Sequence, residues 1–257
     1  MGLIATPDRS VLRLGDRLHS LLDLVFPPRC VGCGEFETLL CHSCRSTLRA
    51  LDTGGCARCG RPGMVSTSDG WCRDCVGRDL RFSSAHSAFE YTGVAQDLVA
   101  ALKYGGQRQV AGVMAEQAAA VFAELCAHVR PTAVTWVPSH PSVVRERGYN
   151  QAELLARELS RRVAFAPPVA LAYKTRKTAH QQALGREERA RNLEGAFSSA
   201  PPPPKLRAMG AVVLVDDVYT TGATASATAE VVSRGTGQAV HVFTFARALG
   251  EVPCFTD

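Results

Sequence analysis

The stretch Val215–Thr224, VDDVYTTGAT, closes an apolar run with two adjacent carboxylates and follows them with hydroxyl and small side chains. Neighbouring carboxylates resist ionising together, so a buried strand has little use for such a pair unless it binds something. Val212–Val215 reads as the strand that delivers Asp216 and Asp217 to the carboxyl edge of a sheet, where open parallel sheets bind their ligands. Thr220, Thr221, Gly222, Ala223 and Thr224 then run into a helix N-terminus, whose free N–H groups and dipole favour a phosphate. Amides around one anion, with two acids a strand end away, suit a ribose 5-phosphate. The plain alternative is a tight strand-to-helix turn, its acids stabilising the helix by under ~1 kcal/mol. The chain has no G-x-x-x-x-G-K-[ST] loop and no G-x-G-x-x-G at a strand end, which argues against the common nucleotide-binding fingerprints.

A second chemistry lies in the cysteines. Eight of ten form C-x-x-C pairs: Cys30/Cys33, Cys41/Cys44, Cys56/Cys59 and Cys72/Cys75. Two thiolates at that spacing grip one metal from a tight turn, and two such turns complete a zinc tetrahedron. Glycines in CVGCGE and CARCGR supply the sharp turns. Sequential pairing, the simpler assignment, puts Cys30, Cys33, Cys41 and Cys44 on one zinc and Cys56, Cys59, Cys72 and Cys75 on another; interleaved pairing stays open at this level. Closed four-thiolate sites lack the free position that catalysis needs, so both zincs are expected to be structural. Bound thiolates would lower the formal charge of +5 to about +1, which weakens net charge as a sign of nucleic-acid binding. Cys126 is expected to be a buried helix residue and Cys254 a tail residue.

These groups need positioning elements. The 257 residues are 46% hydrophobic and 21% charged, ordinary for a globular protein, and no apolar run approaches the ~20 residues of a membrane span. Val11, Leu14, Leu18, Leu21, Leu22 and Val25 recur at helical spacing, giving an amphipathic helix over 1–28 that ends at Pro27 and Pro28. Residues 29–80 form the metal-held module, and 84–250 a larger α/β domain. In the latter, SAHSAFEY, TAVTWVP, AMGAVVLV and AVHVFTFAR read as strands. TGVAQDLVAALKY (opened by Thr92), 108–129, NQAELLARELSRRV and 224–234 read as helices. The alternation predicts an open parallel sheet with flanking helices, and SSAPPPPK a stiff connector.

VVLVDDVYTTGAT resembles the phosphoribosyl pyrophosphate (PRPP) signature of type I phosphoribosyltransferases. FPPRCVGCG, LKYGG, VPSHPSVVRERGYNQAELLA and HQQALGREERARNLEGAF resemble successive blocks of the ComF family over roughly residues 20 to 247. Those are phosphoribosyltransferase-like proteins with an N-terminal zinc module, linked in several bacteria to DNA uptake. Ser139, Val143, Val144 and KTAHQQ depart from the usual pattern. The resemblance implies a type I phosphoribosyltransferase fold and a Mg²⁺-dependent transfer of phosphoribose from PRPP. It makes Asp216 and Asp217 partners of the ribose hydroxyls, directly or through Mg²⁺, and Thr220, Thr221, Gly222, Ala223 and Thr224 the 5-phosphate cradle. Val137, Ser139 and His140 would belong to the pyrophosphate loop, with Arg145 and Arg147 facing the leaving group.

Between Ser142 and Asn192 eleven Lys and Arg stand against five Glu. Lys174, Arg176, Lys177, His180, Arg186, Arg189 and Arg191 lie where type I enzymes carry a mobile loop that closes over the reacting centre. The implied catalytic set is Asp216, Asp217, Arg147 and Arg176. A competing function is a non-catalytic protein that binds PRPP or single-stranded DNA; its binding would fall with salt and use aromatic platforms. Tyr91, Tyr104, Trp136 and Tyr149 are the candidates, though core packing is the expectation for them. Trp71, in GWCRDC, is a nucleic-acid contact or a module core residue. Partners consistent with these readings are PRPP, single-stranded DNA and DNA-uptake or helicase proteins, in the cytoplasm. The acceptor of phosphoribose is not legible.

Overall fold

The computed structural model describes residues 27–52, 54–63, 65–177, 193–206 and 210–250. The helix expected within 1–28 lies almost wholly outside them, as do His180, Arg186, Arg189, Arg191 and Cys254. The chain divides into two compact units, Met1–Thr47 and Leu48–Asp257. The two cysteine groups therefore belong to different units.

In the first unit, the Cys30 and Gly34 amides donate to the carbonyls of Glu35 and Cys30, and Gly34 turns the knuckle at φ +78°. A one-turn helix, α1 (His42–Ser46), begins at Cys41, whose sulfur accepts from the Cys44 amide.

In the second unit, a 3₁₀ turn (Arg73–Cys75) ends the second cysteine group. The sheet elements follow: β1 (Ser84–Glu90), α2 (Val94–Lys103), α3 (Val110–Val129), β2 (Ala133–Trp136), α4 (Pro141–Arg147), α5 (Gln151–Arg162), β3 (Ala172–Lys174), β4 (Phe197–Ser199), β5 (Ala211–Tyr219), α6 (Ala223–Thr236) and β6 (Ala239–Arg247). β1, β6, β5 and β2 lie side by side in that order, all parallel, while β3 and β4 form a separate antiparallel pair. This is the expected open parallel sheet with flanking helices. Val212, Val213, Leu214 and Val215 are fully buried, as a strand covered on both faces requires. Helices α3 and α5 pack together, α5 lying on β2 and β5. Helix α6 packs on the β3–β4 pair and on β5 and β6. α3 has the length and mean hydropathy (1.4) of a membrane span, yet Val110, Ala111, Met114, Ala115, Ala118, Phe122 and Leu125 are all buried in this fold.

Some boundaries differ from the sequence reading. Thr92 does not cap α2; Gly93 does, at a positive φ of 49° and with no side-chain hydrogen bond. Part of the stretch read as a stiff connector, Ser198 and Ser199, is in strand β4. The region after Trp136 contains a short helix, α4, opened by Pro141 and ended by Gly148 at φ +85°. Cys126 is half-buried rather than buried. Its thiol pKa is pushed up to about 11 by that burial, so it is not a reactive group.

Candidate functional site

β5 does not stop at Val215. It runs on to Tyr219, paired throughout with β6: Asp216 opposite Thr244, Val218 opposite Ala246 and Tyr219 opposite Arg247. On its other side β2 ends with Trp136 opposite Val215, so Asp216 is the first β5 residue past the end of β2. Successive strand residues point to opposite faces, and the two carboxylates accordingly meet different surroundings. Asp217 is 3% exposed and its Oδ1 lies 2.9 Å from Lys103 Nζ, at the last turn of α2. Among the described residues its buried Oδ2 has no hydrogen-bond partner. Asp216 is half-buried, and its own Oδ1 accepts from the Asp217 amide at 2.9 Å.

Burial, then repulsion from Asp217, pushes the Asp216 carboxyl up to about 7, against the pull of Lys103 and Lys174. Lys103 is driven down by its own burial but pulled up more strongly by Asp217 and Asp216, and ends above its usual value. Lys174, on β3, is lowered by burial although Asp216 pulls it upward. The acid pair is thus a buried ion pair, Asp217 with Lys103, beside a carboxyl poised to ionise near neutrality. Breaking a buried pair leaves one charge uncompensated, so Lys103→Met is expected to lower unfolding free energy by about 3–5 kcal/mol. Urea denaturation of the purified variant checks this.

The loop after β5 turns at Gly222, φ +77°, the residue that caps α6. A Cβ there would lie 2.3 Å from the Tyr219 hydroxyl oxygen, so the position has no room for any other side chain. Thr220, Gly222 and Thr224 share a small hollow of about 20 Å³ with Asp216 and Thr244, room for about one water molecule. Thr221 and Ala223 line a different space, an open cleft of about 860 Å³ between residues 77–81, residues 193–197 and the flank of α6; Asp216 is not in its wall.

The residues expected for a pyrophosphate loop are only partly available. Val137 is buried, its amide bonded to the Val215 carbonyl and its carbonyl to Asn150 Nδ2. Ser139 is half-buried. His140 caps α4, its Nδ1 lying 3.2 Å from the Ser142 amide and 2.7 Å from the Ser142 hydroxyl. Arg145 is exposed on α4. Arg147 donates to Gln151 Oε1 and lies over the ring of Tyr104, which adjoins Lys103. Arg176 is exposed and donates to the Glu194 carbonyl at 2.9 Å, tying β3 to the hairpin. The geometry therefore joins Asp216 to the threonine loop, and Arg147 to the Lys103 end of α2. Among the described residues no hydrogen bond or ion pair joins Arg145 to the acids.

Sequence reasoning missed Lys103, Tyr219, Arg78 and Arg247. Lys103 had a signal, the single cation of its helix, set in the last turn ahead of a glycine pair; so did Arg247, a charge ending an apolar strand. Of the aromatic candidates, Tyr149 is buried as expected, with its hydroxyl donating to the Leu102 carbonyl at 2.6 Å. Tyr91 and Trp136 are half-buried. Tyr104 departs from the expectation: it is 69% exposed. Trp71 packs against the core of its unit, beneath the Arg58 guanidinium.

The cysteines gather sequentially, Cys30, Cys33, Cys41 and Cys44 in one group and Cys56, Cys59, Cys72 and Cys75 in the other, with all ligand atoms of a group within 4.8 Å of one another. The Cys33–Cys41 and Cys59–Cys72 sulfur separations are 3.6 and 3.7 Å. A zinc tetrahedron with Zn–S near 2.3 Å has edges of roughly 3.8 Å, so both groups fit that ion. Amides of Cys41 and Cys72 donate to the sulfurs of Cys30 and Cys56, bonds that stabilise thiolates and orient them toward an ion.

Comparison with known proteins agrees with this arrangement. Residues 21–76 match a family model described as a double zinc ribbon domain. The chain is 25% identical over 216 residues to competence protein ComFC of Bacillus subtilis, covering 81% of this chain and 84% of that one. It is 28% identical over 218 residues to DNA utilization protein YhgH of Escherichia coli, covering 82% and 91%. It is also 33% identical over 118 residues to competence protein F of Haemophilus influenzae, covering 46% and 51%.

Proposed function

We propose, from the similarity of this chain to ComF-family proteins, that its β5 edge binds PRPP and transfers the phosphoribosyl group to an acceptor in the uptake or use of DNA. The observation that carries the reading is the shared hollow of Asp216, Thr220, Gly222 and Thr224 at the start of α6. The threonine loop takes the 5-phosphate with its amides and hydroxyls, displacing the Thr220–Thr224 backbone slightly outward to admit a group larger than water. Asp216 accepts from the ribose hydroxyls. Asp217 holds Lys103 at the same edge, so that a cation faces the side from which the diphosphate departs, with Arg147 next along α4. Asp216 adds one carboxylate to substrate oxygens, a common way for Mg²⁺ to be held, and the ion would neutralise the diphosphate. The bond from C1 to the diphosphate oxygen breaks with both electrons leaving on diphosphate, while the acceptor's nucleophile closes on C1. Fixed charge aimed at such a developing separation is often the largest catalytic contribution.

The test is a calorimetric titration with PRPP and Mg²⁺, followed by assay of diphosphate release in the presence of amines and nucleobases. Saturable binding without release would leave a PRPP-binding protein, and no binding would end the reading. The pH dependence is specific. A ribose hydroxyl donates to the ionised carboxyl, whose pKa before binding stands at about 7, so affinity is expected to climb as pH rises through neutrality and to flatten above it. Asp216→Asn, which cannot ionise, should lose that climb; the remaining pH dependence then belongs to the ligand's phosphates.

A second reading has one observation in its favour. Tyr104 is exposed and carries Arg147 over its ring, a stacking platform with a cation suited to a single-stranded base. Fluorescence anisotropy with a labelled oligonucleotide tests it, with Tyr104→Ala expected to weaken binding about tenfold or more if a base stacks there.

A further inference from the structure

Arg247 ends β6 inside the second unit and is 4% exposed. Its guanidinium donates to the Cys59 carbonyl and, at 3.3 Å, to the Cys59 sulfur. Among the described residues no carboxylate pairs with it, so both of its recognised acceptors belong to one metal-site cysteine. The other face of the guanidinium lies 4.4 Å from the Tyr219 ring centroid. Tyr219 in turn is the floor of the loop, its hydroxyl against Gly222 and, among the described residues, without a hydrogen-bond partner. The polypeptide leaving the same cysteine group makes two further ties: Arg78 donates to the Thr221 carbonyl, and the Arg81 amide donates to the Ser226 hydroxyl.

We propose that the second four-cysteine site shapes the Tyr219–Thr224 loop, with Arg247 as the positioning residue that links metal occupancy to loop geometry. Zinc would fix Cys59, whose carbonyl and sulfur are the two acceptors of the Arg247 guanidinium. Without the ion Cys59 loses its tie to the other three cysteines, and the buried guanidinium loses the fixed acceptors that hold it in place. Tyr219 then loses its stacked partner and Gly222 its support. The consequence for ligand rests on the PRPP reading above; the mechanical link does not.

Hydrogen exchange on the zinc-loaded full chain, with no ligand present, separates the two. In Arg247→Met the peptide covering 219–225 should exchange roughly tenfold faster, equivalent to about 1.4 kcal/mol of local stability. Peptides within 212–215 and 242–245 should stay protected and zinc content should be unchanged. Arg247→Lys keeps the charge without the planar fork, so it should protect the core but not the loop. Tyr219→Phe removes only an unpartnered hydroxyl and should leave the loop as it is. Should Arg247→Met fold poorly, Arg78→Ala offers the same readout through the Thr221 tie. Cys33→Ser completes the test, since it should lose one zinc and leave 219–225 as protected as in the parent. Unchanged loop exchange in Arg247→Met, equal acceleration of loop and core in that variant, or loosening of 219–225 by Cys33→Ser would overturn the proposal. Loosening of the loop in a protein that never binds PRPP would leave the link standing and defeat only the ligand assignment.

Discussion

Asp216→Ala is expected to lower affinity for PRPP with Mg²⁺ by two orders of magnitude or more without unfolding the protein. Hydrogen bonds to a charged acceptor contribute about 1.5–3 kcal/mol each, and a carboxylate receiving two ribose hydroxyls forfeits both on truncation. Asp216 is half-buried, and its Oδ1 accepts only a short-range bond, from the next residue's amide, among the described residues. Its removal also relieves repulsion on Asp217, so thermal stability should hold or rise. Asp217→Ala should behave in the opposite sense. It strands Lys103, a cation held by that carboxylate at 2.9 Å, and its first effect is on folding. Paired calorimetric titrations and thermal melts of the two variants check the division. If Asp217→Asn, made in the same background, loses affinity as steeply as Asp216→Ala at unchanged stability, both acids hold the sugar and the present assignment of Asp217 is wrong.

Cys72→Ser is expected to have the largest effect on stability. Cys56, Cys59, Cys72 and Cys75 belong to one buried cluster with Leu80, Phe82, Ala85, Tyr219 and Val240, so this metal site is continuous with the packing of the sheet. Apparent zinc binding to such sites contributes about 10–16 kcal/mol near neutral pH, comparable with the whole 5–15 kcal/mol that separates typical folded and unfolded domains. Losing one of four thiolates should therefore abolish or severely depress the cooperative melt of residues 48–257. Zinc stoichiometry and a circular-dichroism melt provide the readout. A variant that loses one zinc yet melts like the parent would show that the apolar contacts suffice by themselves. Cys33→Ser, in the first unit, should lower zinc content with no such collapse.

The local chemistry was the most legible part of this chain. Cysteine spacing announces metal knuckles because two thiolates two residues apart can reach one ion, whatever surrounds them. The β-branched run before Asp216 and the glycine and threonines after it announce a strand, a tight turn and a helix start for equally local reasons. The α4 helix and the β3–β4 pair were not legible. The first is seven residues long with no buried residue, and each strand of the second is three residues long with only one buried, too short to leave a period. The exposure of Tyr104 was equally hidden, since it follows an apolar helix and nothing in its neighbours separates a buried ring from a free one.

By itself, then, the sequence determined the zinc-binding knuckles, the alternating parallel architecture and the position of the acidic strand end, because each follows from spacings within about ten residues. Tertiary structure decided that the thiolates pair sequentially, that β6 lies between β1 and β5, and that the two adjacent acids have different duties. A strand must turn Asp216 and Asp217 to opposite faces, but only the arrival of α2 from more than a hundred residues earlier places Lys103 against one of them. The same holds for Arg247 and Cys59. Their 188-residue separation is closed by the fold alone, and no local pattern in either segment records it.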